Sequence, residues 1–301
     1  MKFSTHPTIF RWKPGAWLRV SGEDAASFLQ GQFTNELRGL AEGEAVYGLW
    51  LNLKGKVVAD SFVMVAATRE FWVGSYFSSA EIIRERLESH IIADDVMIED
   101  CTGGWEGVSV LGVEGITAQL HGKVEAHEGI VFRGRRDAAE SAEWLFPTES
   151  VGNLDRILSG WGGVREIDAE EIERRRIVAG IPAVPADVGL GDLPNEGGLD
   201  AGAISYTKGC YLGQEVMARL RSMGQVRRRL LRVFCVAGEA PLRPAGLFVG
   251  ERKIGELRSA AGDGAGGFVG LAMLSLLHLP LETGLALTPG GVPVVQLRDR
   301  P

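Results

Sequence analysis

One short segment concentrates the reactive side chains of this chain: Tyr206-Thr207-Lys208-Gly209-Cys210-Tyr211-Leu212-Gly213-Gln214-Glu215. A thiol stands two residues after an amine, between two glycines, and just before a helix-like stretch, Glu215–Leu220. A helix N-terminus and a nearby cation favour thiolate over thiol. Glycines let the backbone turn tightly and admit a ligand closely. By itself the segment supports two readings. Cys210 is a reactive thiol with Lys208 as its cationic partner, or it is a structural thiol buried in a turn.

The other candidate groups narrow the chemistry. Cys101 and Cys235 complete a set of three cysteines with no CxxC. An odd number so widely spaced fits neither a disulfide framework nor a zinc or four-thiolate iron–sulfur site within one chain. His6, His90, His121, His127 and His278 lack metal-ligand spacing, so no resident metal is expected. Arg219, Arg221, Arg227, Arg228, Arg229 and Arg232 follow the cysteine segment, with no acidic residue from Val216 to Ala237. This local positive zone suits carboxylates or an RNA backbone, or is simply a solvated face.

The elements that must position these groups read as α+β. Trp17–Val20 is strand-like, and Ser21 or Asp24 caps a helix through Ala25–Gln30. Ala45–Leu51 and Val57–Val65 alternate as a hairpin around Asn52–Lys56. Phe71–Gly74, Val108–Val113 and Gly129–Phe132 are further strands, and Ser79–His90 has helical spacing. Leu154–Ile181 reads as mostly helical, its charges forming a solvated face. Pro182–Ser205 is a Pro/Gly-rich loop. Short strand-like runs after Arg227 (Leu230–Val236, Leu247–Gly250, Ile254–Leu257, Phe268–Met273) suggest a small β-barrel.

Bulk properties bound the rest. With 301 residues and 45% of them hydrophobic, the chain is long enough for two or three domains. A net charge of −7 argues against whole-surface attraction to nucleic acid or anionic membrane. Met1–Pro7 lacks an apolar signal core, and Phe268–Leu281 is too short to span a bilayer and holds His278. A cytoplasmic protein with no membrane partner is expected.

Lys208-Gly209-Cys210-Tyr211-x-Gly213-Gln214-Glu215 resembles the signature of the YgfZ family, folate-binding proteins similar to the T-protein aminomethyltransferase of glycine cleavage. Four ordered segments extend the resemblance along nearly the whole chain: Leu29-Gln30-Gly31-Gln32-Phe33-Thr34-Asn35, Asn52-Leu53-Lys54-Gly55-Lys56, Ala179-Gly180-Ile181-Pro182 and Leu193-Pro194-x-Glu196. It implies a three-domain cloverleaf with a C-terminal β-barrel around a tetrahydrofolate channel. The expected division is a folate-binding region at 1–225, with a hairpin-rich insert at about 45–150, and a barrel at 226–301. It also implies Glu196 as the carboxylate that takes the pterin amino group and ring N–H. Tyr206 and Tyr211 become walls of the pterin slot, and Arg219 and Arg227 cations for the glutamyl tail.

The pattern departs from the T-proteins at Val57-Val58-Ala59-Asp60-Ser61, where they carry paired aspartates and only Asp60 remains here. Val178 replaces a glutamate frequent in the family. The cysteine signature belongs to the YgfZ branch, which is implicated in assembly or repair of iron–sulfur enzymes, including those that thiolate tRNA. The resemblance therefore implies a tetrahydrofolate-binding accessory protein that depends on Cys210 and works with iron–sulfur proteins or their assembly machinery, with tRNA an indirect partner. The alternative is a folate-dependent aminomethyltransferase or related one-carbon transfer enzyme using Asp60; a direct RNA-binding module is a third possibility.

Overall fold

The computed structural model describes residues 7–124, 129–150, 152, 157–158, 161, 163–279 and 284–298. Met1–His6, His127, Pro280, Leu281 and the start of the Leu154–Ile181 stretch lie outside them, with the expectations made there. Three five-stranded sheets and six described α-helices make the mixed α+β fold.

The first sheet grows from the expected hairpin. Ala45–Leu51 and Val57–Ala67 pair antiparallel, followed across the sheet by Glu70–Ser75, Ala16–Ser21 and Met97–Asp100. The Asn52 carboxamide oxygen closes the tip, accepting from the Lys54 and Lys56 N–H groups at 2.9 and 3.1 Å. Helices Ala25–Gln32 and Ala80–Glu88 cover one face, burying Phe28, Leu29, Trp50, Val63 and Ile83. The second lies within the expected Ser79–His90, with Ser79 as its cap. Asp24 stands at the N-cap of the first, as one of the two residues expected there, but its carboxylate makes no capping bond and accepts from the Asp95 N–H at 2.9 Å.

The second sheet runs Arg165-Glu166, Thr8–Trp12, Trp105–Leu111, Ser141–Pro147, Ile130–Arg133. It meets the open face of the first through aromatic pairs: Phe62 with Phe132 at 4.8 Å, Trp12 with Tyr76 at 5.0 Å, and Trp17 with Trp105 at 5.3 Å. This junction is the centre of the molecule, and the Pro182–Ser205 loop, Tyr211 and Met273 pack into the same cluster.

The third sheet, Ala245–Val249, Arg252–Gly262, Phe268–Ser275, Arg228–Cys235 and Val295–Leu297, corrects the expectation of a closed barrel. It is a half-barrel. Among the described residues only single bridges, Phe248 to Ala286 and Leu285 to Val295, link its edge strands, and isolated pairs do not make a ladder.

The charged helix is also shorter than expected, Ala169–Ala179, because Gly180 at φ +72° ends it and Arg165-Glu166 is strand. Its face is not simply solvated. Arg176 is buried between Asp187 at 2.6 Å and Glu173 at 2.5 Å, and it donates to Ser259 on the third sheet at 2.8 Å. No helix among the described residues is long and apolar enough to cross a membrane.

Candidate functional site

The end of the first helix dictates the place of the cysteine segment. A helix leaves its last carbonyl groups without intrahelical partners. The Gly31 carbonyl takes the Leu212 N–H at 3.3 Å. Lys208 enters from the same segment, and its ammonium donates to the carbonyls of Gln30, Phe33 and Asn35 at 2.8, 2.6 and 2.8 Å. Thr34 adds a bond to the Ala203 carbonyl at 2.6 Å and accepts the Ser205 N–H at 3.0 Å. Two segments singled out separately in the sequence, Leu29–Asn35 and Tyr206–Glu215, are thus one clasp.

The hairpin tip completes it. Gly213 has φ +85°, and a Cβ there would meet the Asn52 carbonyl at 2.9 Å, so glycine alone fits between tip and loop. Helix Gln214–Met223 starts at this point. Cys210 lies on the exposed part of the loop, with the Arg38 guanidinium beside Gly209. Cys101 is half-buried and Cys235 buried, so Cys210 is the only exposed thiol of the chain's three.

Lys208 itself is 6% exposed. Burial draws its pKa down to about 8, with Glu36 opposing that fall and Arg38 adding to it. Its three N–H donors match three carbonyl acceptors one for one.

Glu196 and the tyrosines gather on one wall of the central cluster. Asn195, beside Glu196, lies near the Tyr206 phenol, and Tyr206 lies near Tyr211. Glu196 is already engaged: Arg228 reaches its two oxygens at 3.0 and 2.9 Å, and the Leu193 N–H donates at 2.8 Å. Arg228 also meets Asp192 at 3.1 Å, and Arg258 pairs with Asp192 from strand Arg252–Gly262, on the far side of Phe268–Ser275. Burial opposes ionisation of Asp192, but Arg258, the Gly189 N–H and Arg228 together hold its pKa below the usual range. Of the sequence's positive zone, Arg228 therefore points inward as an ion-pair partner. Arg219 and Arg227 are exposed, and Arg221 lies 4.4 Å over the Tyr206 ring.

Asp60 sits apart from that wall, on the central face of the first sheet. Tyr47, Ser75 and Ser78 donate to its oxygens at 2.9, 2.6 and 2.7 Å. Burial nevertheless raises its pKa, against the pull of these bonds and of Arg135. Across the junction Glu143 is fully buried. It accepts from Tyr76 at 2.8 Å and Ser109 at 2.6 Å, and Arg136 lies 3.9 Å away with its guanidinium 3.7 Å over the Tyr76 ring. The sequence reading missed Arg135, Arg136, Glu143 and Asn195 as site residues, and placed Arg228 in the positive zone without its carboxylate partners in this chain. The available signal was alternation: strand Ser141–Pro147 directs Ser141, Glu143 and Leu145 to one face.

The tetrahydrofolate expected from the sequence resemblance can be tested against these groups. The Tyr211 hydroxyl and the Asn195 carboxamide oxygen are buried with no hydrogen-bond partner. Such atoms mark places where water or a ligand completes the bonding. A hydroxyl and an amide oxygen are the kinds of group that meet the polar edge of a flat heteroaromatic ring, and Tyr211 packs with Leu193, Leu199 and Ile204 in the central cluster. The residues present therefore suit such a group, through Tyr211 and Asn195.

Comparison with known proteins follows the same lines. The GCVT N-terminal domain matches residues 8–119. The mitochondrial iron–sulfur cluster assembly factor IBA57 of Mus musculus is 30% identical over 290 residues, covering 89% of this chain and 77% of that protein. The tRNA-modifying protein YgfZ of Photobacterium profundum is 25% identical over 246 residues, 79% of this chain and 72% of its own. Aminomethyltransferase T of the glycine cleavage system from Bartonella henselae shares the fold, with a TM-score of 0.79 at 16% identity over 99% of this chain and 86% of its own. From the signature clasp to the three-sheet fold and this span of identity, the chain belongs to the YgfZ and IBA57 family, within the superfamily of the GCVT domain.

Proposed function

We propose that this protein is an accessory factor for assembly or repair of iron–sulfur enzymes, tRNA-modifying ones among them, that works through Cys210 and binds a tetrahydrofolate-class ligand. The observation that carries the reading is the exposed thiol of Cys210 on a loop clasped to a helix end. The names of two relatives, an iron–sulfur cluster assembly factor and a tRNA-modifying protein, support it.

Cys210 supplies one thiolate to iron of a cluster in transit; its proton goes to solvent as the sulfur replaces another ligand. A stable cluster takes about four thiolates. Among the described residues no group of three or more His, Cys, Asp or Glu side chains is placed to hold a metal, so the other ligands come from the partner protein. Tyr211 and Asn195 hold the ring edge of the folate-class ligand, and Glu196 acts through its pair with Arg228. When bound, tetrahydrofolate supplies the chemistry of a one-carbon carrier.

The test is complementation of a deletion strain by Cys210→Ala, with the activity of an iron–sulfur tRNA-modifying enzyme as readout. An exposed side chain contributes within about 0.5 kcal/mol to stability, so the variant is expected to fold normally and to give no rescue. Full rescue would show that Cys210 is not the working group.

A further inference from the structure

We propose that Lys208 is the positioning residue for Cys210: its ammonium, seated on three carbonyl oxygens at and just past the end of the first helix, fixes the loop from which the thiol projects. The inference rests on Cys210 as the working group, but its geometry stands by itself.

The loop is held on both sides of the thiol. Two residues before Cys210, the Lys208 ammonium bonds Gln30, Phe33 and Asn35; two residues after it, the Leu212 N–H bonds Gly31. Between these anchors Gly209 and Cys210 are exposed. The lysine stem is buried, and its head lies 5.4 Å from the ring of Tyr211, the next residue after the thiol. The acceptors are not arranged for another cation. Three carbonyls around one point call for an ammonium, whereas the flat guanidinium fork of arginine directs its donors in one plane. An apolar side chain there would leave the Gln30, Phe33 and Asn35 carbonyls without this donor. With every N–H of Lys208 already bonded, the residue acts through loop geometry and not as a free acid or base.

The test compares the full-length protein with Lys208→Met and Lys208→Arg. Cys210 carbamidomethylation by iodoacetamide is timed at one fixed pH by mass spectrometry of its peptide, beside the free peptide spanning residues 205–215. Amide exchange at Leu212 is read in parallel. The folded wild type is expected to react at a rate different from the free peptide's, because the anchored loop limits the directions from which the reagent meets the thiol. In Lys208→Met that rate is expected to move onto the peptide's, with Leu212 exchange faster by about tenfold. Lys208→Arg keeps the charge and is expected to fold while restoring neither the rate nor the Leu212 protection. It therefore decides the matter should Lys208→Met not fold. Wild-type behaviour in Lys208→Arg, or a wild-type rate the same as the free peptide's, would overturn the proposal. A positive result here with full cellular rescue by Cys210→Ala would leave the positioning role standing and remove the function proposed for the thiol.

Discussion

Tyr211 shows how a residue's environment separates stability from binding. Burial, then the neighbouring Tyr206, push its phenol up to about 12, so it stays neutral near physiological pH. Its hydroxyl is buried without a partner, a state that costs free energy on folding. Tyr211→Phe removes only that hydroxyl. Unfolding free energy, measured by urea denaturation, is expected to stay the same or rise by about 1 kcal/mol. Calorimetric titration with tetrahydrofolate is expected to show affinity lower by about fivefold, the loss of one neutral hydrogen bond. Undiminished affinity would place the ligand elsewhere. Glu196→Gln acts differently, because its carboxylate serves Arg228 and the Leu193 N–H. Its main expected effect is lower stability, by about 1–2 kcal/mol, and unchanged denaturation would contradict the pairing.

At the scale of elements, the Pro182–Ser205 loop is tied to the third sheet by charge. Asp192 joins Arg228 on one strand and Arg258 on another. Its carboxyl is held below its usual range. A depressed carboxylate contributes stability above its unfolded value, near about pH 4, that is lost as pH falls through the lower folded value. Asp60 and Glu143 run the other way. Burial raises both, so their contribution is present below the unfolded value and is lost as pH rises through the folded one. Comparison of wild type with Arg258→Gln isolates Asp192: the variant is expected to lose less stability between about pH 4 and 2, read from urea midpoints. Parallel pH profiles would show that Asp192 draws nothing from Arg258.

For the whole molecule, the boundary proposed between residues 225 and 226 divides the chain without dividing its stability. Arg228 to Glu196, Arg258 to Asp192, Arg176 to Ser259 and Arg232 to the Val178 carbonyl all cross it. Met273 lies in the central cluster with Tyr47 and Phe62. One calorimetric transition is expected for the full chain and no cooperative melting for residues 1–225. A fragment that melts cooperatively by itself would show that these crossing contacts are dispensable.

The sequence by itself determined the local pieces. Alternation located Ala45–Leu51 with its bounds and the return strand to within two residues; helical spacing located Ala80–Glu88 inside the span Ser79–His90. These signals survive because each reports which face of one element is buried. Thr8–Trp12, Met97–Asp100 and Ser141–Pro147 were not read as strands, since each is short or mixes charge and bulk in a way that only sheet neighbours explain. The signature segment was legible, but the work of its lysine was not. That Lys208 caps the end of a helix some 175 residues earlier, that Arg228 turns inward to Glu196, and that the last sheet stays open all depend on contacts between distant segments. An isolated arginine or lysine reads as solvated; only the fold brings the carbonyls and carboxylates that make its burial favourable.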